Sequence, residues 1–261
     1  MSNLSLAVRD SSTMLRRNLL HARRYPSLTL NLLLTPVMLL LLFVYVFGDA
    51  MSAGIGGGDR SDYVAYLVPG LLLMTIGSTT IGTAVSVSND MTEGIIARFR
   101  TMAIHRGSVL VGHVIGSVVQ SVMSVVLVGA VGVAIGFRSS DATALEWLAA
   151  FGLVVLFTLA MTWIAVGMGL VSPNAEAASN NALPLIFLPL ISSAFVPIDS
   201  MPGWFQPIAE YQPFTPAIET LRGLLLGTGI GHDGWLAVGW CLALTALGYL
   251  WATSKFNSDP K

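Results

Sequence analysis

Six long apolar runs, at roughly 28–48, 63–88, 107–136, 145–170, 178–197 and 234–253, fill most of the 261-residue chain. Each is near or above the ~20 residues that a helix needs to cross a bilayer. Apart from Glu146 at the entrance to the fourth, the runs hold no Asp, Glu, Lys or Arg. The pattern predicts an all-α membrane protein of six transmembrane helices, with residues 28–253 forming one membrane domain.

The stretches between the runs carry structure of their own. Over 4–22 a helical period puts Leu4, Val8, Leu15, Leu19 and Ala22 on one face and Arg9, Arg16 and Arg23 on another. That predicts an amphipathic helix lying in the membrane interface and ending near Pro26, within a cytoplasmic segment 1–27. Gly54-Ile55-Gly56-Gly57-Gly58-Asp59 reads as a flexible loop. The second run is rich in small hydroxyls (Thr75, Ser78, Thr79, Thr80, Thr83, Ser86 and Ser88), which either bond back to their own helix or line a polar path. The third run has two spacings that allow close helix approach, Gly112/Gly116 and Gly132/Gly136.

Two polar stretches stand out. In 89–106, Asp90 and Glu93 have the spacing of a capping box, Ile95, Phe99 and Met102 fall on one helical face, and Arg98, Arg100 and Arg106 flank it. A short helix with an apolar stripe and a basic rim predicts a docking surface. In 198–233, Thr215 followed by Pro216 predicts a helix start, and Ile218, Leu221 and Leu225 make its apolar face. Glu219 and Arg222 are spaced to pair, and Gly227 can end the helix. Short, proline-broken helices at the outer face, anchored by Trp204 and Phe205, are expected there, in part re-entrant.

Composition agrees with a membrane protein: mean hydropathy is +0.74, with 54% hydrophobic and 10% charged residues. Of the 13 basic residues, only Arg60, Arg138 and Arg222 fall on the side opposite the amino terminus. The positive-inside rule then puts both termini, 89–106 and the tail 254–261 in the cytoplasm. No cleavable signal peptide is expected, because the first apolar run is long enough to span. The single cysteine, Cys241, reads as a small core residue.

Candidate chemistry is sparse. A phosphate loop closes on Gly-Lys-Ser/Thr, and the only lysines are Lys255 and Lys261. His21, His105, His113 and His232 have no metal-ligand spacing. His113 is the only base inside a run, and the sequence offers it no orienting acid. An enzyme is therefore not expected. A carrier driven by an ion gradient keeps ionisable groups near the midplane, and none is expected here. These absences favour transport driven by a separate cytoplasmic motor, with amphipathic or apolar cargo.

The run NDMTEGIIARFRTMAIHRGSVLVGHVIGSVVQ and the later SSAFVPIDSMPGWFQPIAEYQPFTPAIETLRGLLLG resemble the type-2 ABC exporter permeases, in particular the daunorubicin-resistance membrane subunits of actinobacteria. The resemblance covers nearly the whole chain, departing where Ala103 and Tyr211 stand in place of a common Pro and Asn. It implies an amino-terminal elbow helix, a coupling helix at 89–106 and an extracellular re-entrant helical segment between spans five and six. Glu93, Arg98, Phe99, Arg100, Met102 and Arg106 would meet the ATPase. The implied function is the permease of an ATP-driven exporter of a hydrophobic drug or antibiotic, the alternative being export of a lipid or lipid-linked glycan. The implied setting is a bacterial cell membrane, with two ATPase copies and a second permease, most simply a homodimer. No nucleic acid partner is expected. ATP and Mg belong to the ATPase, and no cofactor or metal to this chain. For the cargo path, polarity alone nominates Thr79, Thr83, Asn180 and Asn181.

Overall fold

The computed structural model describes residues 26–48, 60–92, 106–139 and 141–258; the predicted interfacial helix and residues 93–105 lie outside them. Among the described residues every regular element is helical. In chain order these are α1 (Pro26–Tyr45), α2 (Arg60–Thr92), α3 (Arg106–Ala134), α4 (Ala144–Val171), α5 (Ala175–Ala182) and α6 (Pro184–Leu190). A 3₁₀ turn (Ile198–Ser200), α7 (Gln206–Tyr211), α8 (Phe214–Leu226) and α9 (Asp233–Ser258) follow.

Among the described residues four helices, α2, α3, α4 and α9, are long and apolar enough to cross a membrane. Helix α2 is central: 83% of its most apolar stretch is buried, against 33% for α3 and 22% for α9. It packs on α1, α3, α4, α5, α6 and α8, while α9 packs mainly on α4. Leu67, Leu71, Leu73 and Ile76 of α2, Phe157 and Met161 of α4, and Phe214, Ile218 and Leu221 of α8 are fully buried together. Val87, Leu110, Val114, Trp163, Leu170 and Phe256 form a second core at the other end of the bundle.

Local chemistry explains the helix ends. Thr143 and Glu146 form a reciprocal capping box at the start of α4, which accounts for the one acidic residue in that apolar run. Gly227, with φ of +68°, closes α8 in the left-handed region, as expected.

The predicted fifth span is not one continuous helix. Helix α5 ends at Ala182, α6 runs from Pro184 to Leu190, and turns follow. Pro184 and Pro189 each lack an N–H donor, so the backbone bends where an unbroken ladder is impossible. After Leu190 the Ser192 hydroxyl donates to Pro189 O and accepts from Ala194 N, fixing the turn. This segment runs along α2 because α2 has no side chain at two facing positions. A Cβ on Gly77 would stand 2.4 Å from Leu185 O, and one on Gly70 2.7 Å from Ala194 Cα. Gly132 of the predicted close-approach pair faces Val68 of α2, and Gly136, with φ of +119°, turns the chain after α3. Gly70 and Gly77 of α2 are thus sites of close backbone approach.

Candidate functional site

Helix α8 is buried on nearly every side, between α2, α4 and α9. Its start differs from expectation. Thr215 is inside the helix, not its cap: the Thr215 hydroxyl donates to Ala209 O and accepts from Ser193 N and Gln212 Nε2. Arg222 pairs with Glu219 as the spacing predicts. Arg222 is 8% exposed. Its Nε and Nη2 donate to Tyr66 O at 3.2 and 3.1 Å, and Nη2 also donates to Ser193 O at 3.0 Å. It lies 3.8 Å from the centre of the Tyr66 ring, and Tyr66 Oη donates to the same Ser193 O at 2.8 Å. One cation thus ties α8, α2 and the 191–195 turn, filling the Ser193 carbonyl that the non-helical turn leaves open and adding to Tyr66 O within α2. The sequence showed the ion pair but not the burial.

The hydroxyl ridge of α2 bonds largely to its own helix. Thr75 donates to Leu71 O, Ser78 to Met74 O, Thr79 to Ile76 O and Thr80 to Gly77 O. Thr79 Oγ1 also meets Ser121 Oγ of α3 at 2.7 Å. Back-bonding thus holds for these four hydroxyls, while Ser88 Oγ is buried without a partner. Thr79 and Thr83 are each 5% exposed. Asn180 and Asn181 are exposed on the neighbouring α5, where Asn181 Nδ2 donates to Ser172 Oγ at 2.9 Å. The four residues therefore sit on adjoining helices, two within the core and two at its surface.

At the coupling stretch, Glu93, Arg98, Phe99, Arg100 and Met102 lie outside the described residues, and Arg106 is the first residue of α3. Two expectations nearby are corrected. Asp90 caps no helix start, because α2 continues through it to Thr92. Its carboxylate instead faces His113, with Oδ2 2.9 Å from Nε2 and each residue 5% exposed. His113 does have an acidic partner, contributed by the preceding helix, and the bundle interior does hold ionisable groups. The pair spans 23 positions of sequence, so no local spacing rule points to it; a lone His in an apolar run was the only signal.

An apolar cavity of about 310 Å³ lies between α2, α3, α4 and α8. Val68, Leu72, Val126, Val133, Phe151 and Leu225 are among its walls, and no lining side chain is charged. Such a space suits alkyl or aromatic surface and offers nothing to an inorganic ion. Among the described residues no group of three or more His, Cys, Asp or Glu could hold a metal.

A bundle of membrane-length helices around a charge-free cavity, with no catalytic constellation among its described residues, fits a transport component. The chain belongs to the ABC-2 type transporter family, whose match covers residues 10–226. It is 28% identical over 244 residues to the daunorubicin resistance ABC transporter permease protein DrrB1 of Streptomyces coeruleorubidus, covering 92% of this chain and 82% of that protein. A Mycobacterium tuberculosis protein named "Probable doxorubicin resistance ABC transporter permease protein DrrC" is 24% identical over 59% of this chain and 57% of its own length. Nodulation protein J of Rhizobium meliloti is 23% identical over 74% of each chain. The chain is thus a multi-pass membrane permease of this family, similar to permeases named for drug resistance.

Proposed function

We propose that this chain is the membrane subunit of an ATP-driven exporter that moves a hydrophobic or amphipathic drug out of a bacterial cell. The observation that carries the reading is the near full-length similarity to a daunorubicin resistance permease. The charge-free cavity supports an apolar cargo. In this reading the six apolar runs are six spans, with both termini cytoplasmic and residues 1–27 forming an elbow helix. The α7–α8 segment re-enters the membrane from outside, its backbone tolerated at depth because protein surrounds it. Two permease copies work with two ATPase subunits that carry the ATP and Mg. The ATPases engage 89–106 through Glu93, Arg98, Phe99, Arg100, Met102 and Arg106. Cargo meets Asn180 and Asn181 on α5, with Thr79 and Thr83 in the adjoining wall. No residue of this chain takes part in phosphate chemistry.

The test is reconstitution. The purified chain, combined with a candidate phosphate-loop ATPase partner, is placed in vesicles and offered daunorubicin and ATP. ATP-dependent accumulation that vanishes when either subunit is omitted supports the reading. Accumulation driven by a proton or sodium gradient without ATP would refute it.

A further inference from the structure

Asp90 and His113 occupy a position that an accidental pair would not. Asp90 stands just before the end of α2 at Thr92, and His113 lies near the start of α3 at Arg106. Residues 93–105 join these two helices, so the 2.9 Å contact closes the ring at the roots of that connection. Each residue is one helical turn from a member of the second core: Val87 precedes Asp90 and Leu110 precedes His113. Ionisable groups buried in a membrane protein are scarce, because each must find a partner or leave a charge in an apolar medium.

Helix α3 needs such a fastening. Only 33% of its most apolar stretch is buried, and Val111, Ile115, Met123 and Leu127 project away from the bundle. Its remaining contact with α2 is mostly aliphatic, including Val68 against Gly132 and Leu72 against Gly129. Aliphatic contact is non-directional and permits sliding or rotation, whereas a short polar contact fixes distance and register. Thr79 with Ser121 is a second fixed point, further along the same pair of helices.

We propose that Asp90 and His113 are positioning residues for energy coupling. They lock the adjoining ends of α2 and α3 into one body, so that force applied to residues 93–105 moves both helices together. The proposal rests on the reading that an ATPase engages that connection. It adds the element that turns a push on the connection into helix displacement.

The experiment uses Asp90→Ala, His113→Ala and the reciprocal swap Asp90→His with His113→Asp, all in a Cys241→Ala background. Nitroxide labels at Asn89 and Met123, both exposed, report the distance along the α2–α3 pair. The lock predicts one narrow distance in the unsubstituted pair, a broadened distribution in each single variant, and a narrow one again in the swap. In vesicles with the ATPase, daunorubicin moved per ATP hydrolysed falls about tenfold in each single variant and recovers in the swap. A merely structural role lowers the yield of complex and leaves the cargo-to-ATP ratio unchanged; that result overturns the proposal. So does either single variant that keeps the narrow distance. If the unsubstituted chain recruits no ATPase, the proposed function fails, and the label distances still decide whether the pair locks α2 to α3.

Discussion

Replacing Arg222 by Met isolates what one buried cation does for this fold. Met keeps the aliphatic stem and removes the guanidinium. Tyr66 O then loses both its Arg222 donors, whereas Ser193 O keeps the Tyr66 hydroxyl at 2.8 Å. Neither carbonyl is stranded, since Tyr66 O lies within the α2 ladder, but losing the charged donor from the two costs about 1.5–3 kcal/mol, and losing the cation from the Tyr66 ring costs about 1 kcal/mol more. The Glu219 carboxylate it leaves is one-third exposed, so solvent screens it and its contribution is small. The expected loss is therefore about 2.5–4 kcal/mol. Arg138→Met is the matched control. Arg138 also donates to backbone carbonyls, of Val133 and Phe137, but from an exposed position, and should cost about 0.5 kcal/mol or less. Unfolding by dodecyl sulfate from mild detergent micelles, followed by tryptophan fluorescence, measures both. Amide exchange adds the location: Arg222→Met should raise exchange in α8 and the 191–195 turn before the rest. Equal stability of the two variants would refute the assignment of Arg222 as the tie between α8 and α2.

The close approach of α2 to α6 predicts that Gly77→Ala destabilises by about 1–3 kcal/mol, since its Cβ meets backbone at Leu185. Gly152→Ala, facing open space on α4, should be neutral or stabilising by up to about 1 kcal/mol in the same unfolding assay. With no Gly-Lys-Ser/Thr in the chain, the purified permease alone should show no ATP turnover above a mock preparation. An impermeant thiol reagent outside intact cells should label a cysteine at position 57 and not at 100; the reverse would invert the topology. Phe99→Ala should weaken co-purification of the ATPase by about 2 kcal/mol, near thirtyfold, and Arg100→Ala by less, because buried anchors outweigh rim charges.

Helix formation and membrane character were legible from residue order alone, because both depend on properties that do not need a neighbour. A run such as 147–170 must satisfy its backbone internally wherever it sits in a bilayer, so length and the absence of charge suffice. The Glu219–Arg222 pair and the Gly227 stop were legible for the same reason, being contacts within one helical turn. The stretch 178–197 shows where that logic gave out. Its apolarity was plain, but Pro184 and Pro189 together with Gly70 and Gly77 of another helix decided that it bends and lies along α2. The tie that holds α8 was likewise unreadable, since the carbonyls that Arg222 fills belong to Tyr66 and Ser193 of distant segments. Asp90 shows the contrast most simply. Local spacing made it a cap, and the fold made it the partner of His113, because a carboxylate takes the donor that packing brings nearest. What one helix can satisfy by itself was written in the sequence. What two helices must satisfy for each other was decided only when they packed.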